Sequence, residues 1–147
     1  MPLKIGDKAP SFPALNDAAG SWVLLYFYPK DDTPGCTTEA CALRDAFPKF
    51  KKLKAVVLGV STNSEKSHEK FAKKYKLPFT LVPDEEKKLV NAYGVWAKKK
   101  FMGREYMGTL RRSFLINPEG KIAKIYESVK PAQHAEEVLQ DLEVLRG

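Results

Sequence analysis

An uninterrupted apolar segment at residues 22–28 restricts the fold of this chain more than any other feature of the sequence. All seven residues of the segment are aliphatic or aromatic, and Pro29 follows it directly. The segment is far too short to span a bilayer, and it is typical of a strand that is buried on both faces of its sheet. We therefore predict a buried strand here, followed by a polar loop that ends near Cys36.

A helix is predicted to begin near Cys36. Apolar residues recur at intervals of four, three and four, at Cys36, Ala40, Leu43 and Phe47. Such spacing places them on one face of a helix. Pro48 lacks an N–H group and its ring clashes with the preceding turn, so we expect it to kink or restart this helix.

The remaining chain alternates between strand patterns and helix patterns. The predicted strands lie at 55–60, 79–82, 111–116 and 121–127. The predicted helices have apolar faces at 68–75, 89–93 and 135–145. Residues 1–20 and 95–110 are expected to be extended, turn or irregular chain, because prolines or glycines interrupt them. This order predicts an α/β fold with a mixed central sheet, in which parallel crossovers come first and an antiparallel hairpin comes later.

The formal net charge of +7 makes a nucleic-acid partner one function class to weigh. The lysines, however, form short clusters on helix-like stretches, where they are interleaved with aromatic residues such as Phe50 and Phe71. This pattern is typical of the solvated faces of amphipathic helices, so we expect neither a nucleic-acid partner nor a membrane partner. The N-terminus lacks the apolar stretch of a signal peptide, and the length suits one domain over residues 1–147, so a cytoplasmic location is expected.

The chain has two cysteines, Cys36 and Cys41. A small secreted scaffold stapled by disulfides would carry more, so the pair is either part of the core or redox-active. At a helix start, unpaired N–H groups and the helix dipole would stabilise the nucleophilic thiolate form of Cys36. The alternative interpretation is that Cys36 fills space on the apolar helix face. Neither His68 nor His134 has a metal-ligand partner at a suitable spacing, so no metal site is predicted.

Four further residues are candidates for positions in or near the site. The hydroxyl of Thr33 can donate and accept a hydrogen bond, so it could orient a substrate at Cys36, and ordinary capping is the alternative role. Pro29 fixes the chain where it leaves the strand, and it can end the strand at the same time. Glu39, one turn beyond Cys36, is expected to be a helix-capping or surface acid. Trp96 is expected either to line the entrance of the site or to shield the core.

The spacing Pro29-x-x-x-Thr33-x-x-Cys36 resembles the PxxxTxxC active-site motif of the peroxiredoxins, in which the motif also follows an aromatic strand. The segment 36–41, with the sequence CTTEAC, is similar to the branch called peroxiredoxin Q or bacterioferritin comigratory protein. Further stretches that resemble this branch lie at 57–61, 93–96, 100–103 and 112–116. The resemblance extends in order over nearly the whole chain, and it implies a thioredoxin-like fold with helices on both faces of the sheet.

The resemblance also implies the chemistry of the site. Cys36 would be the peroxidatic nucleophile and Cys41 the resolving cysteine, with an intramolecular disulfide that follows a sulfenic acid at Cys36. The family uses an arginine three residues before an apolar Phe, which points to Arg111 before Phe114. Its guanidinium would favour the thiolate and bind peroxide oxygens. The adjacent Arg112 would point to the other face of the strand.

The implied activity is that of a thiol-dependent peroxidase that reduces hydrogen peroxide and organic hydroperoxides, is recycled by a thioredoxin-like protein and needs no metal or organic cofactor. The C-terminal tail carries no cysteine for a partner chain, so a monomer is expected. A general dithiol–disulfide oxidoreductase is one alternative, but such proteins usually carry C-x-x-C, and here four residues separate the cysteines. The second alternative is a non-enzymatic basic interaction module, but such a module would not need Thr33, Cys36 and Arg111 together.

Overall fold

The strand that the apolar segment predicts lies in the middle of a five-stranded sheet. In the computed structural model, which describes residues 3–147, this strand is β1 (Trp22–Phe27). From edge to edge, the sheet contains β3 (Thr80–Pro83), β2 (Ala55–Ser61), β1, β6 (Arg112–Ile116) and β7 (Ile122–Tyr126). The strands β1, β2 and β3 are parallel, whereas β6 is antiparallel to both β1 and β7. The predicted mixed sheet is confirmed.

Both faces of β1 are buried, which explains its uninterrupted apolar sequence. Side chains alternate between the two faces of a strand. Leu24, Tyr26 and the following Tyr28 belong to one hydrophobic cluster, whereas Val23 and Phe27 belong to a second cluster on the other face. Each of these five side chains is at most 1% exposed. The sheet therefore separates two cores, and β1 contributes to both.

The described residues form five helices, which cover the two faces of the sheet. They are α1 (Pro13–Asp17), α2 (Pro34–Lys52), α3 (Glu65–Tyr75), α4 (Lys88–Ala92) and α5 (His134–Arg146). The first hydrophobic cluster contains buried residues of α2, α3 and α5, and the second contains buried residues of α1 and α4. Helices thus lie on both faces, as predicted. Within residues 3–147, no helix is both long and apolar enough to cross a membrane.

The helix α2 continues through Pro48 to Lys52, so the prediction that it restarts at this proline is wrong, whereas the alternative of a kink stays a prediction. Leu43 before the proline and Phe50 after it are fully buried in the same cluster. Their packing holds both parts of the helix against the sheet. This packing offsets the hydrogen bond that Pro48 cannot donate.

Residues 95–110, predicted to be irregular, contain a separate antiparallel hairpin of β4 (Trp96–Phe101) and β5 (Arg104–Thr109). The prediction is wrong because the turn lacks its usual signal. Met102 and Gly103 have positive φ angles of 51° and 79°, which suit a type I′ turn, but the usual sequence for that turn is Asn-Gly or Asp-Gly. Most side chains of the hairpin are exposed, so the alternating pattern of a half-buried strand is missing as well.

Two smaller differences lie near the chain ends. The helix α1 begins at Pro13, inside the segment predicted to be extended, because proline is pre-set for the first position of a helix. Leu145 in α5 is 43% exposed whereas Leu142 is fully buried, so the apolar face of α5 ends earlier than predicted. Residues 1 and 2 of the segment predicted to be extended, Pro2 among them, lie outside the described residues.

Candidate active site

Cys36 is the third residue of α2, and its thiol is free and buried. Pro34 occupies the first helical position, where its fixed φ favours helix initiation, and Thr33 flanks the helix. The first helical hydrogen bond runs from the Thr37 N–H to the Thr33 carbonyl at 2.8 Å. The N–H groups of Gly35 and Cys36 come before this bond, so they belong to the unpaired end of the helix. The positive end of the helix dipole therefore lies close to the sulfur.

Arg111 is brought to Cys36 by the pairing of β6 with β1. In the register of these strands, Arg112 lies opposite Phe27, so the residue before β6 is next to the loop that leads into α2. Arg111 Nη2 donates a hydrogen bond to Cys36 Sγ at 3.3 Å, and Arg111 Nη1 donates to Glu39 Oε1 at 2.7 Å. Burial acts to lower the pKa of Arg111, but Cys36 and Glu39 outweigh it and raise that pKa. A positive charge in contact with the sulfur favours the thiolate.

Glu39 is a buried acid, so the prediction of a capping or surface role is wrong. It follows Cys36 by three positions, which places it on the same side of α2 as the sulfur, and it is fully buried. Burial raises the pKa of Glu39 to about 7, although Arg111 acts to lower it. Oε1 accepts from Arg111, whereas Oε2 has no hydrogen-bond partner among the described residues. The spacing of three from Cys36 was the sequence signal that could have identified this position.

Thr33 and Pro29 shape the loop in front of α2. The hydroxyl of Thr33 donates a hydrogen bond to the Lys30 carbonyl at 2.8 Å, and within the described chain it makes no capping hydrogen bond to α2. Its oxygen lone pairs are left as acceptors for an O–H group of a substrate. Pro29 is half-buried at the point where the chain leaves β1. The catalytic roles of both residues stay predictions.

Cys41 is the second free thiol of the site region, and it is half-buried. Cys36 shares the first hydrophobic cluster with Ala40 and Leu43, whereas Cys41 lies five positions along α2 on a different face. Both cysteines lie within one continuous helix. The two thiols are therefore directed apart, and the resolving role of Cys41 stays a prediction.

Lys99 of β4 is a basic residue near the site that the sequence analysis missed. Burial lowers the pKa of Lys99 and Arg111 lowers it further, whereas Cys36 acts to raise it. Its Nζ atom donates to the Thr109 carbonyl at 3.2 Å. Because residues 95–110 were predicted to be irregular, no orientation for Lys99 could be derived. Trp96, in the same strand, packs partly buried against the second hydrophobic cluster, which agrees with a shielding role.

The two histidines belong to separate hydrogen-bond networks. His68 Nδ1 lies 2.7 Å from Asp31 Oδ2, and His134 Nε2 lies 2.8 Å from Ser113 Oγ. Among residues 3–147, no group of three or more His, Cys, Asp or Glu side chains is placed to hold a metal ion. Both histidines therefore contribute to internal hydrogen bonding.

In this structure, a cysteine at the N-terminus of a helix contacts an arginine that lies next to a strand of the mixed sheet. This is the arrangement of a peroxiredoxin. Sequence comparisons agree with this class. The AhpC/TSA family model matches residues 5–125. Peroxiredoxin Bcp of Bacillus subtilis is 47% identical over 151 residues, which cover 97% of this chain and 96% of the relative. Peroxiredoxin Bcp of Escherichia coli is 44% identical, with 94% of each chain covered.

Comparison with solved structures leads to the same branch. A cysteine-to-serine variant of PrxQ from Xylella fastidiosa has a TM-score of 0.92 and 35% identity, covering 99% of this chain and 98% of that one. Bacterioferritin comigratory protein from Xanthomonas campestris has a TM-score of 0.85 and 42% identity, covering 88% and 82%. The predicted thioredoxin-like fold is confirmed. The chain belongs to the AhpC/TSA family, in its peroxiredoxin Q or Bcp branch, and is thereby a thiol peroxidase.

Proposed function

We propose that this chain reduces hydrogen peroxide and organic hydroperoxides, with Cys36 as the nucleophile. The observation that carries the proposal is the hydrogen bond from Arg111 Nη2 to Cys36 Sγ at 3.3 Å. A positive charge in contact with a thiol at a helix N-terminus favours the thiolate, which is the form that reacts with peroxides. The alkyl peroxide reduction activity named for the Xanthomonas campestris protein supports organic hydroperoxides as one substrate class.

In the first step, the thiolate sulfur attacks the terminal oxygen of the hydroperoxide, and the O–O bond breaks. Cys36 becomes a sulfenic acid. The leaving oxygen takes up one proton, equivalent to the proton that the thiol released, and becomes an alcohol or water. Arg111 stabilises the negative charge that develops on the oxygens. Thr33, whose own hydroxyl proton is directed to Lys30, accepts the hydrogen bond of the peroxide O–H group.

In the second step, the Cys41 thiol condenses with the sulfenic acid, which forms a Cys36–Cys41 disulfide and releases water. In an ideal helix, Cα atoms five positions apart are separated by roughly 8.7 Å, since the rise is about 1.5 Å per residue and the radius about 2.3 Å. A disulfide needs Cα atoms about 4.4–6.8 Å apart. The first turns of α2 must therefore open before this bond can form.

In the third step, a thioredoxin-like protein supplies two electrons by thiol–disulfide exchange and restores both thiols. The opened helix exposes the disulfide to this reductant. The cycle uses two cysteines of one chain and no metal or organic cofactor, so a monomer can complete it. We place the cycle in the cytoplasm, where reductants of this kind keep thiols reduced.

Peroxide consumption by the reduced protein tests this proposal. The wild-type protein should consume hydrogen peroxide and cumene hydroperoxide repeatedly in the presence of a thioredoxin system, and Cys36→Ser should consume neither. Cys41→Ser is the matched variant, which should react with peroxide once and fail to turn over with thioredoxin. Undiminished consumption by Cys36→Ser would contradict the choice of nucleophile. Full turnover by Cys41→Ser would contradict the disulfide step.

A further inference from the structure

Next to the site, four polar side chains form a cluster beneath the loop that leads into α2. This cluster, the loop anchor, consists of Tyr28, Asp31, Ser67 and His68. Asp31 lies at its centre: Oδ1 accepts a hydrogen bond from the Tyr28 hydroxyl at 2.6 Å, and Oδ2 accepts from the Ser67 hydroxyl at 2.8 Å. The same Oδ2 atom lies 2.7 Å from His68 Nδ1. The carboxylate thereby ties the loop to α3.

The ring of His68 connects the loop to two neighbouring strands. Nδ1 faces the Asp31 carboxylate at 2.7 Å, so this nitrogen donates its N–H group to the carboxylate. Nε2 lies 3.1 Å from the Val82 carbonyl oxygen and 3.4 Å from the Ser61 hydroxyl, which can donate a proton to it. The short contact between Nδ1 and Asp31 therefore fixes the orientation of the ring.

The hydrogen bond between Asp31 and His68 lies in the interior of the protein. The side chains of Asp31 and His68 are 4% and 3% exposed. Burial acts to raise the pKa of Asp31, but its hydrogen bonds, led by the one from His68, outweigh burial and lower that pKa. Burial raises the pKa of Tyr28, so the phenol stays neutral. The groups that contact the ring from other elements are Tyr28 after β1, Asp31 of the loop, Ser61 of β2 and the Val82 carbonyl of β3. Asp31 is the charged group in this set.

A second attachment of the same loop lies on the surface. Asp32 has a positive φ of 56°, and its carboxylate pairs with Lys74 Nζ of α3 at 2.8 Å. The side chains of Lys74 and Asp32 are 58% and 42% exposed, so solvent screens this pair. Asp31 is held more firmly, because its backbone N–H also donates to Asn63 Oδ1 at 2.8 Å. The loop is therefore attached to α3 mainly through the buried pair.

We propose that the buried hydrogen bond between His68 and Asp31 holds the loop in front of α2 in place, which makes His68 a positioning residue for the peroxidase reaction. This inference rests on the proposed function of Cys36. Thr33 lies on this loop two residues after Asp31, and the loop leads directly into the first turn of α2, which holds Cys36. Disulfide formation requires that turn to open, so the hydrogen bond favours attack on the peroxide and opposes formation of the disulfide.

Removal of the pair should change the two half-reactions in opposite directions. In His68→Gln and Asp31→Asn, we expect the rate constant for reaction with hydrogen peroxide to fall by roughly tenfold or more, since misplacing reacting groups by about 1 Å can cost a hundredfold. The rate constant for disulfide formation should rise. Rapid-quench mass spectrometry resolves the two steps. A fall in both rate constants would indicate damage to the structure and would overturn the positioning role.

Lys74→Met is the matched control, because it removes the exposed ion pair of the same loop and leaves the hydrogen bond from the Tyr75 hydroxyl to Asp32. Both of its rate constants should stay within about twofold of the wild-type values, since exposed ion pairs contribute little. Equal changes in Lys74→Met and His68→Gln would overturn the assignment to the buried pair. Failure of the wild-type Cys36 to react with peroxide would instead remove the proposed function, and with it this inference, before any variant is compared.

A measurement on the unmodified protein tests the hydrogen bond directly. Nitrogen-15 NMR should show a proton on Nδ1 of His68, because the Asp31 carboxylate lies 2.7 Å from this atom and can only accept a hydrogen bond. A His68 ring without a proton on Nδ1 would overturn the proposal, even if the variants fail to fold.

Discussion

At the scale of single residues, the site depends on one guanidinium with two partners. Arg111 donates one N–H group to the Cys36 sulfur and another to the Glu39 carboxylate. The rigid fork of a guanidinium suits this double contact, whereas a lysine would present a mobile point charge. Glu39 thereby fixes the orientation of the positive charge before a peroxide arrives. Such preorganisation lowers the cost of stabilising the charge that develops during attack.

Arg111→Ala should lower the rate constant for reaction with hydrogen peroxide by roughly 100-fold or more, because the loss of one preorganised donor typically costs about 10²–10³. Arg112→Ala is the matched control, since it removes the same charge one position along the chain. Its rate constant should change by less than about threefold, because charges outside the site are screened by salt. Competition with a peroxidase of known rate measures both. Equal and small losses in the two variants would remove Arg111 from the mechanism.

Glu39→Gln should change the pH dependence of stability. Burial raises the pKa of Glu39 from 4.5 to about 7 in the folded protein, so between these values the folded state holds a proton that the unfolded state releases. The contribution of this proton to the free energy of unfolding is fully present below pH 4.5 and is lost as the pH rises through 7. Between pH 5 and pH 8, the free energy of unfolding of the wild-type protein should fall by about 2–3 kcal/mol more than that of the variant. Urea unfolding of the reduced proteins measures the difference, and parallel pH profiles would contradict the assignment.

The site residues could be predicted from the sequence to different extents. The periodicity of apolar residues predicts a helix that begins near Cys36, and the resemblance to the peroxiredoxins implies Arg111 as the arginine beside it. Glu39 was assigned to the surface, because an acid is seldom buried unless a partner compensates it, and the partner is distant in sequence. Lys99 was missed for a different reason: its position depends on a hairpin whose turn carries no recognisable signal.

At the scale of elements, α2 is the part of the molecule that must exist in two states. Its first turns hold Cys36 against Arg111 in the reduced form, and the same turns must open for the disulfide. Opening sacrifices a few backbone hydrogen bonds, each worth about 0.5–1.5 kcal/mol net. Disulfide formation can offset this cost. Leu43 and Phe50 anchor the rest of the helix in the core, so we expect the opening to be local.

Hydrogen exchange should detect this opening. The amides of residues 40–44 are helical in the reduced protein and should exchange faster after oxidation, because their acceptors lie in the turns that unwind. Amides of α5 serve as an internal control and should keep their protection. Mass spectrometry must confirm the Cys36–Cys41 disulfide in the same sample. Equal protection of residues 40–44 in both states, with the disulfide present, would contradict local unwinding.

Elements with strong periodicity were predictable, and elements held by long-range packing were not. The spacing of Cys36, Ala40 and Leu43 predicts α2 because one helix face must be buried. The continuation of α2 through Pro48 depends on Phe50, whose contacts in the core cannot be derived from local sequence. Propensity therefore predicts where α2 begins better than how far it extends.

At the scale of the whole molecule, the sheet divides the interior into two cores, and each depends on helices from distant parts of the chain. The helices α2 and α5 meet on one face, while α1 and α4 cover the other. The order of strand and helix patterns predicts the mixed sheet, and the resemblance implies helices on both of its faces. The resemblance also implies an arginine near Cys36, but the pairing of β6 with β1 that brings Arg111 there was not predicted.

Leu142→Ala should lower the free energy of unfolding by about 2–5 kcal/mol, because it leaves a cavity where α5 meets the first core. Leu142 is fully buried. Leu145→Ala is the matched control on the same helix, where the side chain is 43% exposed. Its cost should be about 0.5 kcal/mol, as for other surface substitutions. Urea unfolding of the reduced proteins measures both changes in the free energy of unfolding. Similar losses in the two variants would contradict the finding that the apolar face of α5 ends before Leu145.

The central claim is that a peroxide oxidises Cys36, and chemical trapping tests it most directly. Reduced Cys41→Ser protein is mixed with one equivalent of hydrogen peroxide and dimedone, which reacts with sulfenic acids, and the digested protein is analysed by mass spectrometry. The account predicts a dimedone adduct on the peptide that contains Cys36. Cys36→Ser protein, which retains Cys41, should give almost no adduct under the same conditions. A rapid adduct on Cys41 together with an unlabelled Cys36 would contradict the account.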